Sequence, residues 1–231
     1  MRYVYKSEPD FRNAFLNVNW INSHTALTMS DLIIVRHGQS EYNLENRFTG
    51  STDIELTPEG ELGAKKAGDL IKDYPLDEAF TSVLKRAIHT LTIILKEIDK
   101  TSLPVTQSPA LNERSYGDLQ GLDKMEMIKK YGEEQVLSWR RSYDIIPPHG
   151  ESLKETYDRV VPYYEQEIVP KLSDGKNILI VAHGNSLRAL MMYLENIGHT
   201  EISDINLATG SPRLYQFSPK MTLENVRYLN Q

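Results

Sequence analysis

Two histidines with matching neighbours carry the clearest chemistry in this sequence. His37 follows Arg36 at the end of an apolar run and precedes Gly38, and His183 follows a second apolar run and precedes Gly184. A neutral histidine nitrogen can attack phosphorus near pH 7. A second histidine and an arginine would neutralise the charge that spreads over the phosphoryl oxygens during transfer. The pattern therefore predicts phosphoryl transfer.

The surroundings of the histidines strengthen this interpretation, because a lone histidine is more often a surface or core residue. Both apolar runs, 32–35 and 177–182, have the length and composition of buried strands. In open α/β sheets ligands bind beyond the carboxyl ends of strands, so both histidines are expected at one crevice. The helix expected after Gly184 would present free backbone amides to an anion.

The rest of the chain alternates short β-branched runs with amphipathic stretches, which predicts an α/β fold. Further strands are expected at 78–81, around Val105, and at 214–217 as an edge strand. Helices are expected at 57–74, after Ser82 as a cap, at 125–131, at 133–141, at 152–169 with a break at Pro162, and at 186–196. Residues 1–29 predict an N-terminal extension outside the core, and residues 30–231 a single catalytic domain.

Composition narrows the function classes. The 231 residues contain no cysteine, which excludes disulfides, thiolate catalysis and cysteine metal sites. The formal net charge of −6 disfavours nucleic acid as a partner, and no apolar run reaches the ~20 residues of a membrane span. With neither cysteine nor an export signal, the cytoplasm is the expected location.

Other catalytic signatures are missing from the sequence. It contains neither a nucleotide phosphate-loop motif nor the glycine pattern of a dinucleotide site. The run Gly184-Asn185-Ser186-Leu187-Arg188 lacks the closing glycine of a hydrolase nucleophile elbow. Because no close histidine spacing indicates ligands, no metal is expected.

Several segments together resemble a known family. The run 35–40 (VRHGQS), with Asn43 and 45–50 (ENRFTG), resembles the phosphohistidine signature of cofactor-dependent phosphoglycerate mutases, within the histidine phosphatase superfamily. Similar segments are 80–87 (FTSVLKRA), 111–117 (LNERSYG), 119–124 (LQGLDK), 139–141 (WRR) and 182–188 (AHGNSLR). The resemblance spans about residues 31–218, and the Asn-Glu-Arg and Trp-Arg-Arg runs favour the mutase branch.

The resemblance implies a three-layer sandwich with a mostly parallel central sheet flanked by helices. It also implies that His37 becomes phosphorylated and that Glu113 is the acid and base. Arg36, Arg86 and His183 would surround the phosphoryl group. The implied substrate-binding residues are Ser40, Asn43, Thr49, Gly50, Tyr116, Lys124, Arg140, Arg141, Gly184 and Asn185. Planar guanidinium groups suit the grip on a carboxylate and a second phosphate.

The implied activity is interconversion of 3-phosphoglycerate and 2-phosphoglycerate, with 2,3-bisphosphoglycerate as primer and a homodimer as the assembly. Alternatives are a histidine phosphatase acting on small phosphorylated metabolites, a bisphosphoglycerate mutase, and a phosphate-binding regulator. The chain departs from the family pattern at Gln39, Ser51 and Asp123, and in a short 148–151 region expected to shorten one wall of the site. The sequence continues only briefly after the last expected strand, whereas the resemblance implies a long basic tail that helps to close the site, so a site more open to water is expected.

Several residues keep ordinary structural alternatives. The pair Arg140-Arg141 could be a solvated helix end, Arg86 an exposed helix residue, and Glu113-Arg114 a local ion pair. Tyr116 could serve only packing, and Arg188 could be a ligand or a structural partner. No chemistry is assigned to His24, His89, His149 and His199.

Overall fold

The structure, a computed structural model, describes residues 29–230, so the predicted extension at residues 1–29 lies outside the described residues except for Met29. The strands are β1 (Ser30–Arg36), β2 (Glu78–Thr81), β3 (Val105–Gln107), β4 (Ile178–Ala182), β5 (Pro212–Phe217) and β6 (Leu223–Tyr228). The α-helices are α1 (Glu41–Leu44), α2 (Pro58–Ile71), α3 (Lys85–Glu97), α4 (Lys124–Tyr131), α5 (Glu133–Arg141), α6 (Leu153–Tyr163), α7 (Val169–Ser173) and α8 (Gly184–Glu195).

One sheet holds the six strands in the order β3-β2-β4-β1-β5-β6. The pairs β3·β2, β2·β4 and β4·β1 are parallel, whereas β1·β5 and β5·β6 are antiparallel. Within the described part of the chain, only β5 therefore runs against the direction of the other strands. The predicted mostly parallel α/β sheet is confirmed.

Alternate residues of the central strands pack on opposite sides of the sheet. In β1, Ile33 and Val35 join one apolar cluster with residues of α2 and α3, while Leu32 and Ile34 join another with residues of α6 and α8. A strand covered on both faces must be apolar throughout, which explains its unbroken hydrophobic run. Helices on both faces of the sheet make three layers.

The sheet extends one strand further than the sequence predicted. The alternation at 214–217 was expected to mark an edge strand, but β5 pairs with β1 on one side and β6 on the other. The edge on this side is β6, in which each residue is exposed or half-buried. Because only Leu223 and Val226 of β6 pack against the core, and both are half-buried, its sequence carries little apolar periodicity.

Two helix expectations also need correction. Leu84, not Ser82, is the N-cap residue of α3, and the Ser82 hydroxyl is engaged with His183. The stretch predicted as one helix at 152–169 consists of α6, a π-helical turn at Tyr164–Ile168, and α7. Pro162 lies in the last turn of α6, where its missing N–H explains the change of hydrogen-bond pattern.

A third apolar cluster lies beside the sheet rather than on its faces. Phe48 and Leu119 pack with residues of α4 and α5. This cluster supports the two helices that bear Lys124 and the Arg140-Arg141 pair. Among residues 29–230, no helix is long and apolar enough to cross a membrane.

Candidate active site

The two strand-ending histidines lie side by side because β1 and β4 are neighbours. Arg36 is the register partner of Ala182, so both strands end at the same level. The His37 amide donates to the Ala182 carbonyl at 2.9 Å, and the two imidazole centroids are 5.0 Å apart. The structure thus brings together residues that the sequence placed at one crevice.

Hydrogen bonding orients the His37 ring. Its Nδ1 lies 2.6 Å from the Gly38 carbonyl oxygen, and its Nε2 lies 3.3 Å from the Nε of Arg86. Since the carbonyl can only accept, Nδ1 carries the proton, and Nε2 accepts from Arg86. Burial, together with the Arg86 and Arg36 charges, lowers the pKa of His37 well below its ordinary value. His37 is therefore a neutral imidazole with its lone pair at Nε2.

His183 packs behind His37 and is fully buried. Its Nε2 lies 2.7 Å from the hydroxyl oxygen of Ser82. Burial and the charges of Arg86 and Arg36 lower its pKa well below the ordinary value. The second histidine is thus neutral too, held by the residue that sequence analysis assigned to a helix cap.

Arg86 is fully buried rather than exposed on α3. Its Nη1 and Nη2 donate to the carbonyl oxygens of Thr52 and Gly50, each at 2.8 Å. Burial lowers the pKa of Arg86 to about 10, so it remains charged at pH 7. These two carbonyls fix the guanidinium with its Nε directed at His37.

Glu113 presents one carboxylate oxygen while the other is held. Its Oε1 accepts from the backbone amides of Arg114 at 2.8 Å and Asn185 at 3.0 Å. A Cβ on Gly184 would lie 3.5 Å from Oε2 of Glu113 and 3.6 Å from Nε of Arg36. Oε2 of Glu113 and Nε of Arg36 thus both border the space beside Gly184.

Arg114 does not form the local ion pair that was one alternative for this loop. Its Nη2 donates to the Trp139 carbonyl at 2.8 Å, and its guanidinium carbon lies 4.6 Å from the Tyr116 ring centroid. The bond joins the Glu113 loop to the last turn of α5, which carries Arg140. Burial opposes ionisation of Tyr116, but the Arg114 charge and hydrogen bonds from Arg114 and Asn185 outweigh it and lower the pKa of Tyr116.

Lys124, Arg140 and Arg141 stand on the outer side of the site, each half-buried. Arg141 also donates from Nη1 to the Ile205 carbonyl at 3.3 Å. Burial, with the charges of Arg140 and Arg36, lowers the pKa of Lys124 to about 8. The paired arginines are therefore not a solvated helix end.

These side chains line one cavity of about 170 Å³. Its lining residues are Arg36, His37, Asn43, Arg47, Phe48, Thr49, Gly50, Arg86, Glu113, Tyr116, Lys124, Arg140, Arg141, Gly184, Asn185, Arg188, Asn206 and Leu207. The lining thus has seven cationic side chains against one carboxylate, in a chain whose net charge is −6. Such a cavity is suited to a small polyanion.

Two predicted site residues do not line the cavity. His183 lies behind His37, and Ser40 is the N-cap of α1, accepting from the Asn43 amide while Asn43 Oδ1 accepts from the Ser40 amide. Ser40 thereby fixes Asn43, which does line the cavity.

Five lining residues were not in the predicted set: Arg47, Phe48, Arg188, Asn206 and Leu207. Arg47 and Phe48 lie within the ENRFTG run, so that run pointed to them. Arg188 follows Gly184 by about one helical turn, which places both on one face of α8. Asn206 and Leu207 come from an irregular segment with no sequence signal.

The departures noted in the sequence have local partners in the structure. The Gln39 side chain accepts from the Thr57 hydroxyl at 2.9 Å, and Asp123 is the N-cap of α4. The Ser51 amide donates to Oε1 of Gln120 at 2.9 Å. The short 148–151 region is a turn, in which the Gly150 amide donates to the Pro147 carbonyl. Among residues 29–230, no three His, Cys, Asp or Glu side chains are placed to hold a metal ion.

Comparison with known proteins decides the family. The model of the histidine phosphatase superfamily (branch 1) matches residues 32–226. The chain belongs to this superfamily. A 2,3-bisphosphoglycerate-dependent phosphoglycerate mutase from Cytophaga hutchinsonii is 59% identical over 201 residues, covering 87% of this chain and 94% of that protein. One from Afipia carboxidovorans is 53% identical, covering 85% and 97%. The resemblance to this mutase family is confirmed.

Solved structures show the same fold. A phosphoglycerate mutase from Bacillus anthracis aligns with a TM-score of 0.70 at 22% identity, covering 86% of this chain and 92% of that one. An α-ribazole phosphatase from Shigella flexneri aligns with a TM-score of 0.69 at 26% identity, covering 84% and 94%. Mutases and phosphatases thus share this scaffold, so the chemistry must be argued from the site.

Proposed function

We propose that this histidine phosphatase superfamily member interconverts 3-phosphoglycerate and 2-phosphoglycerate through a phosphohistidine at His37. The observation that carries the proposal is the seven cations and one carboxylate gathered around a neutral imidazole. One phosphate would not need so many cations, whereas a substrate with a carboxylate and a phosphate would. The names of the relatives at 53–59% identity point to the same reaction.

His37 performs the nucleophilic step. Its Nε2 lone pair attacks phosphorus, the bond from phosphorus to the departing oxygen breaks, and Arg86, 3.3 Å from Nε2, balances the charge on the phosphoryl oxygens. Nδ1–H remains bonded to the Gly38 carbonyl throughout, which keeps the ring in one orientation. The buried Nε of Arg36 has no hydrogen-bond partner among residues 29–230 and is available to a phosphoryl oxygen.

Glu113 moves the proton. A carboxylate among so many cations does not help to bind an anion, so its use is as acid and base for the substrate hydroxyl. Two backbone amides hold Oε1, which leaves Oε2 to accept the proton when the hydroxyl attacks phosphohistidine and to return it in the reverse step.

Lys124, Arg140 and Arg141 would hold the carboxylate and the phosphate that is not reacting, with Tyr116 and Asn185 as neutral partners. The same cations fit 2,3-bisphosphoglycerate, since its anionic groups need cations at both ends of the cavity. When bound, this cofactor supplies the phosphoryl group that phosphorylates His37.

The deciding experiment measures isomerisation of 3-phosphoglycerate by the purified protein, with and without 2,3-bisphosphoglycerate, together with release of free phosphate. We expect isomerisation that depends on the primer and greatly exceeds phosphate release. Phosphate release without isomerisation would make the protein a phosphatase instead. Arg141→Ala separates the same alternatives, because a phosphatase acting on a simple ester has no need of that arginine.

His37→Ala tests the covalent step directly. Radiolabelled 2,3-bisphosphoglycerate is expected to leave an acid-labile label on the wild-type chain and none on this variant. An unlabelled wild-type chain would favour the phosphate-binding regulator. The homodimer and the cytoplasmic location inferred from the sequence remain predictions.

A further inference from the structure

Arg188 is a buried cation that the residue assignments above leave without a role. It lies on α8, about one turn after Gly184, and its guanidinium lines the cavity. Nη1 donates to Oδ1 of Asn185 at 3.0 Å, and Nη2 donates to the Ile202 carbonyl. Burial, with the Arg141 charge, lowers the pKa of Arg188 to about 10, which still leaves it charged at pH 7.

The bond from Arg188 determines which end of the Asn185 amide faces the cavity. An amide side chain has one accepting oxygen and one donating NH2 group. Because Arg188 can only donate, it holds the oxygen, and the NH2 group is left for the Tyr116 hydroxyl and the cavity. The reversed amide would place its NH2 against a guanidinium and its oxygen towards an anionic ligand.

We propose that Arg188 is a positioning residue that fixes the Asn185 amide with its NH2 group towards the oxygens of the bound phosphoglycerate. The inference rests on the proposed function and deepens it. Asn185 is a substrate-binding donor of that function, and Arg188, which contacts it, sets the orientation of its amide. Without Arg188, the amide would rotate and present its oxygen to an anion for part of the time.

The second bond of Arg188 explains why arginine is needed at this position. The two Nη atoms of its guanidinium group donate to two different elements. One donates to Asn185 on the same helix, and the other donates to the Ile202 carbonyl on the 3-10 turn Glu201–Ser203. The segment after that turn supplies Asn206 and Leu207 to the cavity wall. A lysine has a single nitrogen that cannot span both acceptors in the same planar geometry.

The test is a double-mutant cycle read by calorimetric binding, with 3-phosphoglycerate and inorganic phosphate as separate probes. The proteins are wild type, Arg188→Met, Asn185→Ala and the double variant. We expect Arg188→Met to weaken 3-phosphoglycerate binding about tenfold, as for loss of a hydrogen bond to a charged group. In the Asn185→Ala background the same change should weaken binding only about threefold, because the amide it orients is gone and only the loss of one lining charge remains.

An equal loss in both backgrounds would overturn the proposal, since it would mean that Arg188 contacts the ligand or only supports the fold. Arg213→Met is the matched control, because it removes an arginine bound to Glu195 at the other end of α8, and it should leave both affinities unchanged. Arg188→Lys keeps the charge and should recover only part of the affinity. Full recovery would show that charge, and not the fork, is what matters.

A structural readout separates this inference from the proposed function. In ¹⁵N spectra without ligand, the Asn185 side-chain NH2 should give a shifted pair of signals that moves in Arg188→Met and stays in Arg213→Met. An unmoved pair would overturn the inference even if the protein isomerises phosphoglycerate. If wild type binds inorganic phosphate but not 3-phosphoglycerate, the proposed function fails, and the cycle with phosphate still decides the role of Arg188.

Discussion

At the scale of single residues, the site combines neutral histidines with charged arginines. The histidines stay neutral because they are buried next to the arginines. His37 and His183 are buried beside Arg86, so protonation of either ring would add a like charge in a poorly solvated place. The same cations that keep His37 nucleophilic are those that attract the phosphoryl group.

The pH response of His37 follows from this arrangement. Its lowered pKa means that the neutral ring persists below pH 6.5, where an exposed histidine would already be mostly protonated. We expect the rate of phosphohistidine formation from 2,3-bisphosphoglycerate to hold between pH 7.5 and 6. An NMR titration of the ring nitrogens checks the cause. A His37 midpoint near 6.5 would contradict the prediction.

Lys124 should determine how substrate binding changes on the alkaline side of the pH profile. With its pKa lowered to about 8, this lysine loses its charge as the pH rises through 8, and the cavity then has one fewer cation. We expect KM for 3-phosphoglycerate to rise between pH 7 and 9 while kcat changes little. Lys124→Arg, which stays charged, should flatten the rise in KM. An equal rise in that variant would place the titrating group elsewhere.

Reactive residues are easier to recognise in the sequence than the residues that orient them. His37 stands in a short run whose residue types already indicate phosphoryl chemistry, whereas the roles of Glu113 and Arg86 were implied by the resemblance to the mutase family. The hydrogen bond between Ser82 and His183 joins residues that are far apart in the sequence, so no local sequence pattern predicts it. Arg188 was left open for the same reason, because its partner Ile202 lies in a separate 3-10 turn that the sequence did not predict.

At the scale of elements, close approach of α2 to the chain after β1 sets the position of His37. A Cβ on Gly38 would lie 2.2 Å from the Gly60 carbonyl oxygen, and a Cβ on Gly60 would lie 2.1 Å from that of Gln39. The Thr57 hydroxyl caps α2 by accepting from the Gly60 amide, and the Thr57 amide donates to the Gln39 carbonyl. The glycines therefore permit backbone contact directly behind the nucleophile.

This contact predicts opposite effects for two glycines of one helix. Gly60→Ala forces backbone atoms apart and should lower the free energy of unfolding by about 1–3 kcal/mol. Gly63→Ala, where a Cβ meets nothing within 4 Å, should raise it by about 0.5–1 kcal/mol through better helix propensity. Chemical denaturation of both variants measures the difference. Equal effects would mean that the backbone contact behind His37 is loose.

Strands and helices that bury a face were predictable, because burial imposes a period on the sequence. Residues 32–35 of β1 and all residues of β4 are apolar, and the helix α5 was predicted with its observed bounds. The strand β6 was missed and β5 was wrongly placed at the edge. The reason is that β6 has no fully buried residue and only Leu223 and Val226 of it pack against the core, which leaves a weak pattern in the sequence.

At the scale of the whole molecule, an acidic chain gathers seven cations into one cavity. Like charges at short range repel, so the cavity without an anion costs stability that an anion restores. An anion that binds only the folded state stabilises it by about 2.7 kcal/mol when its concentration is one hundred times its Kd. The cavity therefore makes thermal stability depend on anions.

Thermal unfolding with and without 3-phosphoglycerate measures this dependence. At one hundred times its Kd, 3-phosphoglycerate should raise Tm by about 5–10 °C, since 1 kcal/mol shifts Tm by about 2–4 °C at this size. Sodium chloride at equal ionic strength should raise it far less. Measured at the same ligand concentration, Arg140→Met should reduce the shift, because it removes a lining cation, whereas Arg227→Met, exposed on β6, should keep it. If chloride gave the same shift as 3-phosphoglycerate, general screening and not a specific cavity would be the cause.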